Sequence, residues 1–254
     1  MVGDMKIEPR MHTNAHEYKG DFKLSVSSVF ICVYLWLIAC FVPVAAHAEE
    51  TITVAVASSL HPAMQEQAAL FEKEHAVEVK LVSGSTGRLY NQIVQGAPFD
   101  LFIAADDIRP ANLSEQGRVV AEGEAGLGYL GVKSGGNRLL NLETLAASTV
   151  QRIAIPNPDV APFGQSAKEL LKQQGLWEIL SPKFIYTQNA MQAMMMVDQG
   201  LVDAGFVALT SSESALAVIS YRAVLLTERA AALQLLKYVT AKEMDVSSLV
   251  SAQR

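Results

Sequence analysis

Between Ser83 and Asp106 the chain reads S-G-S-T-G-R-L-Y-N-Q-I-V-Q-G-A-P-F-D-L-F-I-A-A-D, and this stretch constrains the fold more than any other. It follows Val77 to Val82, which alternates as a strand, and contains a short helix over Leu89 to Val94 stopped by Gly96. Leu101 to Ala104 then reads as another buried strand. The same alternation precedes it, with a strand over Ile52 to Ala57 and an amphipathic helix over Met64 to Glu74 that turns Met64, Ala68, Leu70 and Phe71 inward. It also follows it. Val150 to Ile155, Lys183 to Tyr186 and Gly205 to Leu209 are predicted strands, with helices at 166–174 and 190–199 stopped by Gly175 and Gly200, and a last helix near Ala230 to Tyr238. Strands alternating with helices predict an α/β fold in which mainly parallel sheets carry helices on both faces.

Two strand-to-helix junctions carry hydroxyls. Ser58 and Ser59 close the first strand, and Ser83, Ser85 and Thr86 stand at the second turn, between and beside Gly84 and Gly87. A hydroxyl there either caps its helix or donates to a bound oxygen, and glycine lets a ligand approach the backbone. Helix starts also present unpaired N–H groups and partial positive charge. Two such turns in consecutive units fall at one edge of a parallel sheet, where they can hold an oxyanion without a charged side chain. Later turns repeat the theme: P-N-P-D-V-A-P-F-G over Pro156 to Gly164 is a rigid turn into a helix, and Asn189 is a natural N-cap ahead of Ala190.

Other chemistry is weaker. The G-S-T-G-R string fails the P-loop spacing, and Arg88 reads better as a solvated first-turn residue than as an anion ligand. Asp106 and Asp107 have no accompanying His, Asp or Glu cluster, so helix capping is preferred to metal binding or acid–base work. His61, two residues from Ser59, lacks a G-x-S-x-G elbow and an orienting carboxylate. Met191, Met194, Met195 and Met196, at helical spacing, read as adaptable core.

The first 48 residues read as a cleaved leader. Lys19 and Lys23 precede an apolar run from Leu24 to Ala46, Pro43 breaks it, and Ala46-His47-Ala48 suits signal peptidase, so the mature chain is expected to start at Glu49. Leu37-Ile38-Ala39-Cys40 also resembles a lipobox, which would instead anchor the protein through a lipid on Cys40. Both cysteines, Cys32 and Cys40, lie in this segment, leaving no disulfide in the remainder. The leader's acidic and basic residues balance, so the mature chain keeps the net charge of −6. An acidic chain without basic runs argues against nucleic acid but not against a small anion, which feels the local site.

At A-V-A-S-S-L (55–60), G-S-T-G-R-L-Y-N-Q-I (84–93), G-A-P-F-D-L-F-I-A-A-D (96–106), P-N-P-D-V-A-P-F-G (156–164), W-E-I-L-S-P-K (177–183) and D-A-G-F-V-A-L (203–209), the chain resembles the periplasmic molybdate-binding proteins of molybdate ABC transporters. The resemblance implies a two-lobed type II periplasmic binding fold closing on molybdate or tungstate, with a membrane permease and an ATPase as partners. It implies a monomer without a cofactor, acting by binding rather than catalysis. Ligand contacts carry over to Ser59, Thr86 with Ser85 beside it, and the backbone N–H groups of Phe163 and Ala190. A tyrosine that many members use would fall at Ala208 or near Ala125; neither is Tyr and Tyr129 is close to the second position, so one contact is missing or supplied differently. Ser211 to Tyr221 is also shorter than usual, which would loosen the lobe receiving the returning chain.

The expected lobes are 49–130 with 205–254, and 131–204, the chain crossing near the glycine-rich Gly123 to Gly136 and after Leu209. Two rival functions stand beside the transport reading: a binding protein that reports its ligand to a membrane partner, and a hydrolase using Ser59 or the Asp106/Asp107 pair.

Overall fold

The computed structural model describes residues 50–241, all within one compact unit spanning 49–254. The expected leader, its cleavage after Ala48 and the lipobox at Cys40 lie outside the described residues. Strand β1 (Glu50–Ala57) is followed by helix α1 (His61–Glu74), β2 (Val77–Gly84), α2 (Thr86–Val94), β3 (Leu101–Ala104) and α3 (Ile108–Glu115). Then come β4 (Ala121–Ser134), β5 (Arg138–Leu140), α4 (Leu142–Leu145), β6 (Ile153–Pro156), α5 (Pro162–Gln173) and α6 (Trp177–Leu180). β7 (Phe184–Thr187), α7 (Ala190–Asp198), β8 (Ala204–Leu209), β9 (Ala217–Leu225) and α8 (Ala230–Ala241) complete the order.

Among the described residues the strands form one curled sheet in the order β2-β1-β3-β9-β4-β8-β6-β7, with β5 paired on β4. Its ends are parallel: β1 pairs with β2 and β3, and β6 with β7 and β8. Its middle is antiparallel, because β9 runs against both β3 and β4, and β4 runs against β8. Each parallel end has its own α/β layers, and β4 and β9 join them. This is the α/β fold that the alternation predicts, and it is consistent with the two lobes that the resemblance implies. β8 hydrogen-bonds to β6, so the strand from Ala204 sits with the β6–β7 end, whereas the division at 205 groups it with the other.

The sequence reading found every parallel strand and missed the two antiparallel connectors. β4 was concealed by glycine, which is depleted in strands because it has no side chain to pack. Here the missing side chains make room: a Cβ on Gly128 would stand 2.6 Å from the Tyr221 hydroxyl, and one on Gly131 2.3 Å from Leu209. β9 does alternate, with Ile219, Tyr221 and Ala223 buried and Ser220 and Arg222 less so; that period-2 signal was available in the sequence. The returning chain is thus a full strand bonded on both sides.

The main core gathers Ile52, Val54, Met64, Phe71, Leu101 and Tyr221 at one end and Ile153, Ile155, Phe163, Leu171 and Phe206 at the other. The methionine expectation needs correction: α7 buries Ala190, Ala193 and Val197, while Met194 and Met196 pack only partly and Met195 is 52% exposed. The four methionines bracket the apolar face of α7 without filling it.

Candidate functional site

The C-terminal ends of β1, β2, β6 and β7 deliver the chain into the starts of α1, α2, α5 and α7, and all four starts converge on one cavity. Ala57, Ser58, Ser59, Gly84, Ser85, Thr86 and Ala105 line it from one end of the sheet; Ala161, Pro162, Phe163, Asn189 and Ala190 line it from the other. All five residues singled out from the sequence, Ser59, Ser85, Thr86, Phe163 and Ala190, are among them. They are nearly inaccessible, between 1% and 8% exposed. Open-sheet α/β proteins place ligands outside the carboxyl ends of their strands for this reason: helix N–H groups point there.

Local hydrogen bonding decides which donors remain free. At α2, Gly87 N–H is bonded to the Val160 carbonyl and Arg88 and Leu89 N–H to the Ser85 carbonyl, leaving Thr86 N–H as the first-turn donor with no backbone acceptor among the described residues. At α5, Pro162 has no N–H and Gly164 and Gln165 both donate to the Ala161 carbonyl, which leaves Phe163. At α7, the Asn189 side chain accepts from Gln192 N–H at 2.9 Å, and Ala190 faces the cavity. Asn189 is the N-cap its sequence position predicts.

The hydroxyls do not cap their helices. The Thr86 Oγ1 accepts from Ala105 N–H at 3.1 Å. Because a backbone N–H only donates, one lone pair of Thr86 is occupied and its own proton is left to point elsewhere. The Ser59 Oγ lies 2.8 Å from the Tyr221 hydroxyl, which approaches from β9 behind the cavity wall. The Ser85 Oγ is buried with no hydrogen-bond partner. An orphaned buried hydroxyl costs about 1–3 kcal/mol, so a donor-hungry ligand is what this wall lacks.

Among the described residues no charged side chain lines the cavity. Arg88 instead reaches across the cleft, its Nη1 donating to Gln188 Oε1 at 2.9 Å on the solvent side. Asp106 accepts from Arg109 N–H at 2.9 Å and pairs with the Arg109 guanidinium, while Asp107 pairs with Arg222 at 3.0 Å. Asp106 thus serves a helix start and a largely buried ion pair, and Asp107 a more exposed one. Among the described residues no group of three or more His, Cys, Asp or Glu is placed to hold a metal ion. The hydrogen-bond partner of Ser59 Oγ among the described residues is Tyr221, not His61.

Among the described residues three hydrogen bonds cross the cleft: Gly87 N–H to Val160 carbonyl at 2.9 Å, Arg88 to Gln188, and a long Arg109 Nη2 to Asp159 carbonyl contact at 3.5 Å. The free space between the two sides is about 10 Å³, roughly the room of one water.

Residues 52–245 match the bacterial extracellular solute-binding protein family. The chain belongs to that family. It is a family of binding proteins and not of enzymes. The molybdate-binding protein ModA of Azotobacter vinelandii is 34% identical over 190 residues, covering 73% of each chain. ModA of Rhodobacter capsulatus is 32% identical over 166 residues, covering 64% of this chain and 66% of its own. The crystallised periplasmic molybdate-binding protein of A. vinelandii superposes with a TM-score of 0.69 at 27% identity, over 78% of this chain and 96% of that one. Within this solute-binding family, Tyr221 is the polar residue that sequence reasoning missed, because nothing in the sequence says that β9 passes behind Ser59.

Proposed function

We propose that this protein captures molybdate, with tungstate as an equivalent ligand, and delivers it to the permease and ATPase of an ABC transporter. The observation carrying this reading is a small cavity lined, among the described residues, by hydroxyls and helix-start N–H groups and by no charged side chain. Ser59, Ser85 and Thr86 supply hydroxyls, and Thr86, Phe163 and Ala190 supply helix-start N–H groups. Four helix N-termini place partial positive charge on the same point. Such a lining suits a dianion that carries no proton at neutral pH. Hydrogenphosphate, which does carry one, needs an acceptor as well. The names of the most similar relatives support the same ligand.

In this reading the ligand draws the lobes together by its preference for the closed form. Lobe 1 holds β1 to β3 with the β9–α8 return, lobe 2 holds β5 to β8, and the boundary runs along β4 and β9 rather than at 130 and 205. The chain is exported to the periplasm, loses its leader after Ala48, and works as a monomer without a cofactor. Binding alone is the activity, since Ser59 has a phenol beside it and no general base.

A thermal-shift and calorimetry panel tests the reading. Molybdate and tungstate are expected to stabilise the protein most, by about 2.7 kcal/mol at a hundredfold excess over Kd. A panel in which none of molybdate, tungstate and sulfate binds overturns it.

A further inference from the structure

Tyr221 is buried in the core, 1% exposed, and its hydroxyl has Ser59 Oγ as its hydrogen-bond partner among the described residues. Nothing in the binding scheme above uses it. Two facts suggest that its position is built for a purpose. Gly128 on the neighbouring strand leaves the space its hydroxyl occupies, since a Cβ there would stand 2.6 Å away. The register of β4 against β9 also shifts between Glu124 and Gly126, and Gly126 pairs directly with Tyr221. An irregularity of this kind re-aims a side chain.

We propose that Tyr221 is a positioning residue that fixes the direction of the Ser59 proton and so selects anions bearing no proton. The inference rests on the oxyanion reading given above. With an acceptor-only ion in the cavity, Ser59 O–H donates to the ion and Tyr221 O–H donates to Ser59 Oγ, and every proton has an acceptor. A ligand hydroxyl that donates to Ser59 fills the second lone pair of its Oγ, the first being taken by the Tyr221 proton. Ser59 then accepts twice, and its own proton no longer has the ion to donate to. Burial holds the phenol well above its ordinary ionisation range, so it stays a proton donor throughout the working pH range. Thr86 has the same polarity by another route, since Ala105 N–H behind it can only donate. The two hydroxyls are therefore both aimed as donors, one by backbone and one by a side chain that can be changed.

Y221F removes one oxygen and leaves the ring. Binding of molybdate and of hydrogenphosphate is measured by calorimetry at about pH 8, where both ions are mainly dianions and differ by one proton. In Y221F, molybdate affinity is expected to fall about tenfold and the preference over hydrogenphosphate to narrow by a similar factor, the scale of one buried hydroxyl left unpaired. Y221F made in an S59A background is expected to change molybdate affinity by less than about twofold, because the phenol acts through Ser59. Unchanged affinity in Y221F overturns the proposal, as does equal loss for both ions or an effect that persists in full in S59A. Should Y221F not fold, Y221W, which keeps an N–H donor, is compared with Y221L in the same cycle, and the donor-bearing variant is expected to retain the narrower ligand range. A wild-type protein that binds none of these ions overturns the functional reading itself, and that result is distinct from every variant outcome.

Discussion

The two walls of the cavity make the same kind of contact by different means. The wall from the β1–β2 end uses side chains: Ser59, Ser85 and Thr86, with Tyr221 and Ala105 N–H behind them. The wall from the β6–β7 end uses backbone: Phe163 and Ala190 N–H at two helix starts, held by Pro162, Gly164 and Asn189. A hydroxyl wall can be edited one residue at a time. A backbone wall changes only when its helices move. Affinity is thus adjustable from one side of the cleft, while the other keeps a fixed geometry.

The sharpest way to break this contrast is to displace the backbone wall. A Cβ on Gly164 would meet the Pro156 carbonyl at 1.9 Å, with backbone on both sides and nothing flexible to yield. G164A is expected to lose about 3 kcal/mol of stability in urea unfolding, the upper range for overpacking, together with measurable anion binding. On the hydroxyl wall, T86A removes a donor and strips Ala105 N–H of its acceptor. Molybdate affinity by calorimetry should fall by about 1–3 kcal/mol while the fold persists.

The hydroxyl wall also has a titrating group behind it, which the backbone wall lacks. The Tyr221 pKa is raised from its ordinary 10.0 by burial. The folded state therefore keeps a proton that the unfolded chain loses above that value. Its stabilisation is complete below about pH 10 and declines as pH rises, by about 1.4 kcal/mol per unit. Chemical denaturation at alkaline pH should show a shallower decline in Y221F.

A smaller effect runs the opposite way. S85A deletes the orphaned hydroxyl, so the ligand-free protein should gain about 1 kcal/mol in thermal unfolding while losing anion affinity. The smallest effect should come from F163L. Its side chain packs in the core and its N–H is the donor left free at the helix start, so stability should fall by less than about 1.5 kcal/mol and affinity barely move. A large affinity loss in F163L with normal stability would show that the two walls are not divided as described.

The hydroxyl wall was legible because its residues sit where parallel strands end, and both the strands and the Ser and Thr turns announce themselves within a dozen residues. The backbone wall was legible through its helix-start signals, Pro162 and Asn189, and through resemblance at Phe163 and Ala190. What stayed hidden was whatever depends on pairing across the middle of the sheet. β4 carries glycines that look like a loop until β9 and β8 supply the side chains that fill their space. Tyr221 lies 162 residues from Ser59, and only the β9 register brings them together. Arg88 was read as solvated, and its cross-cleft bond to Gln188 depends on the approach of two helix starts that no local pattern encodes.

The cleft also carries fasteners that touch no ligand: Gly87 to Val160, Arg88 to Gln188 and Arg109 to Asp159. Each deepens the closed well by the same amount whether or not an ion is inside. Strengthening them raises apparent affinity, because less of the ion's binding energy is consumed in closing the lobes. By the same factor it raises the share of empty molecules that wear the loaded shape. On the proposed function, a transporter reading only that shape would then dock with vacant carriers, and the fasteners would set a trade between retention of cargo and idle encounters at the membrane.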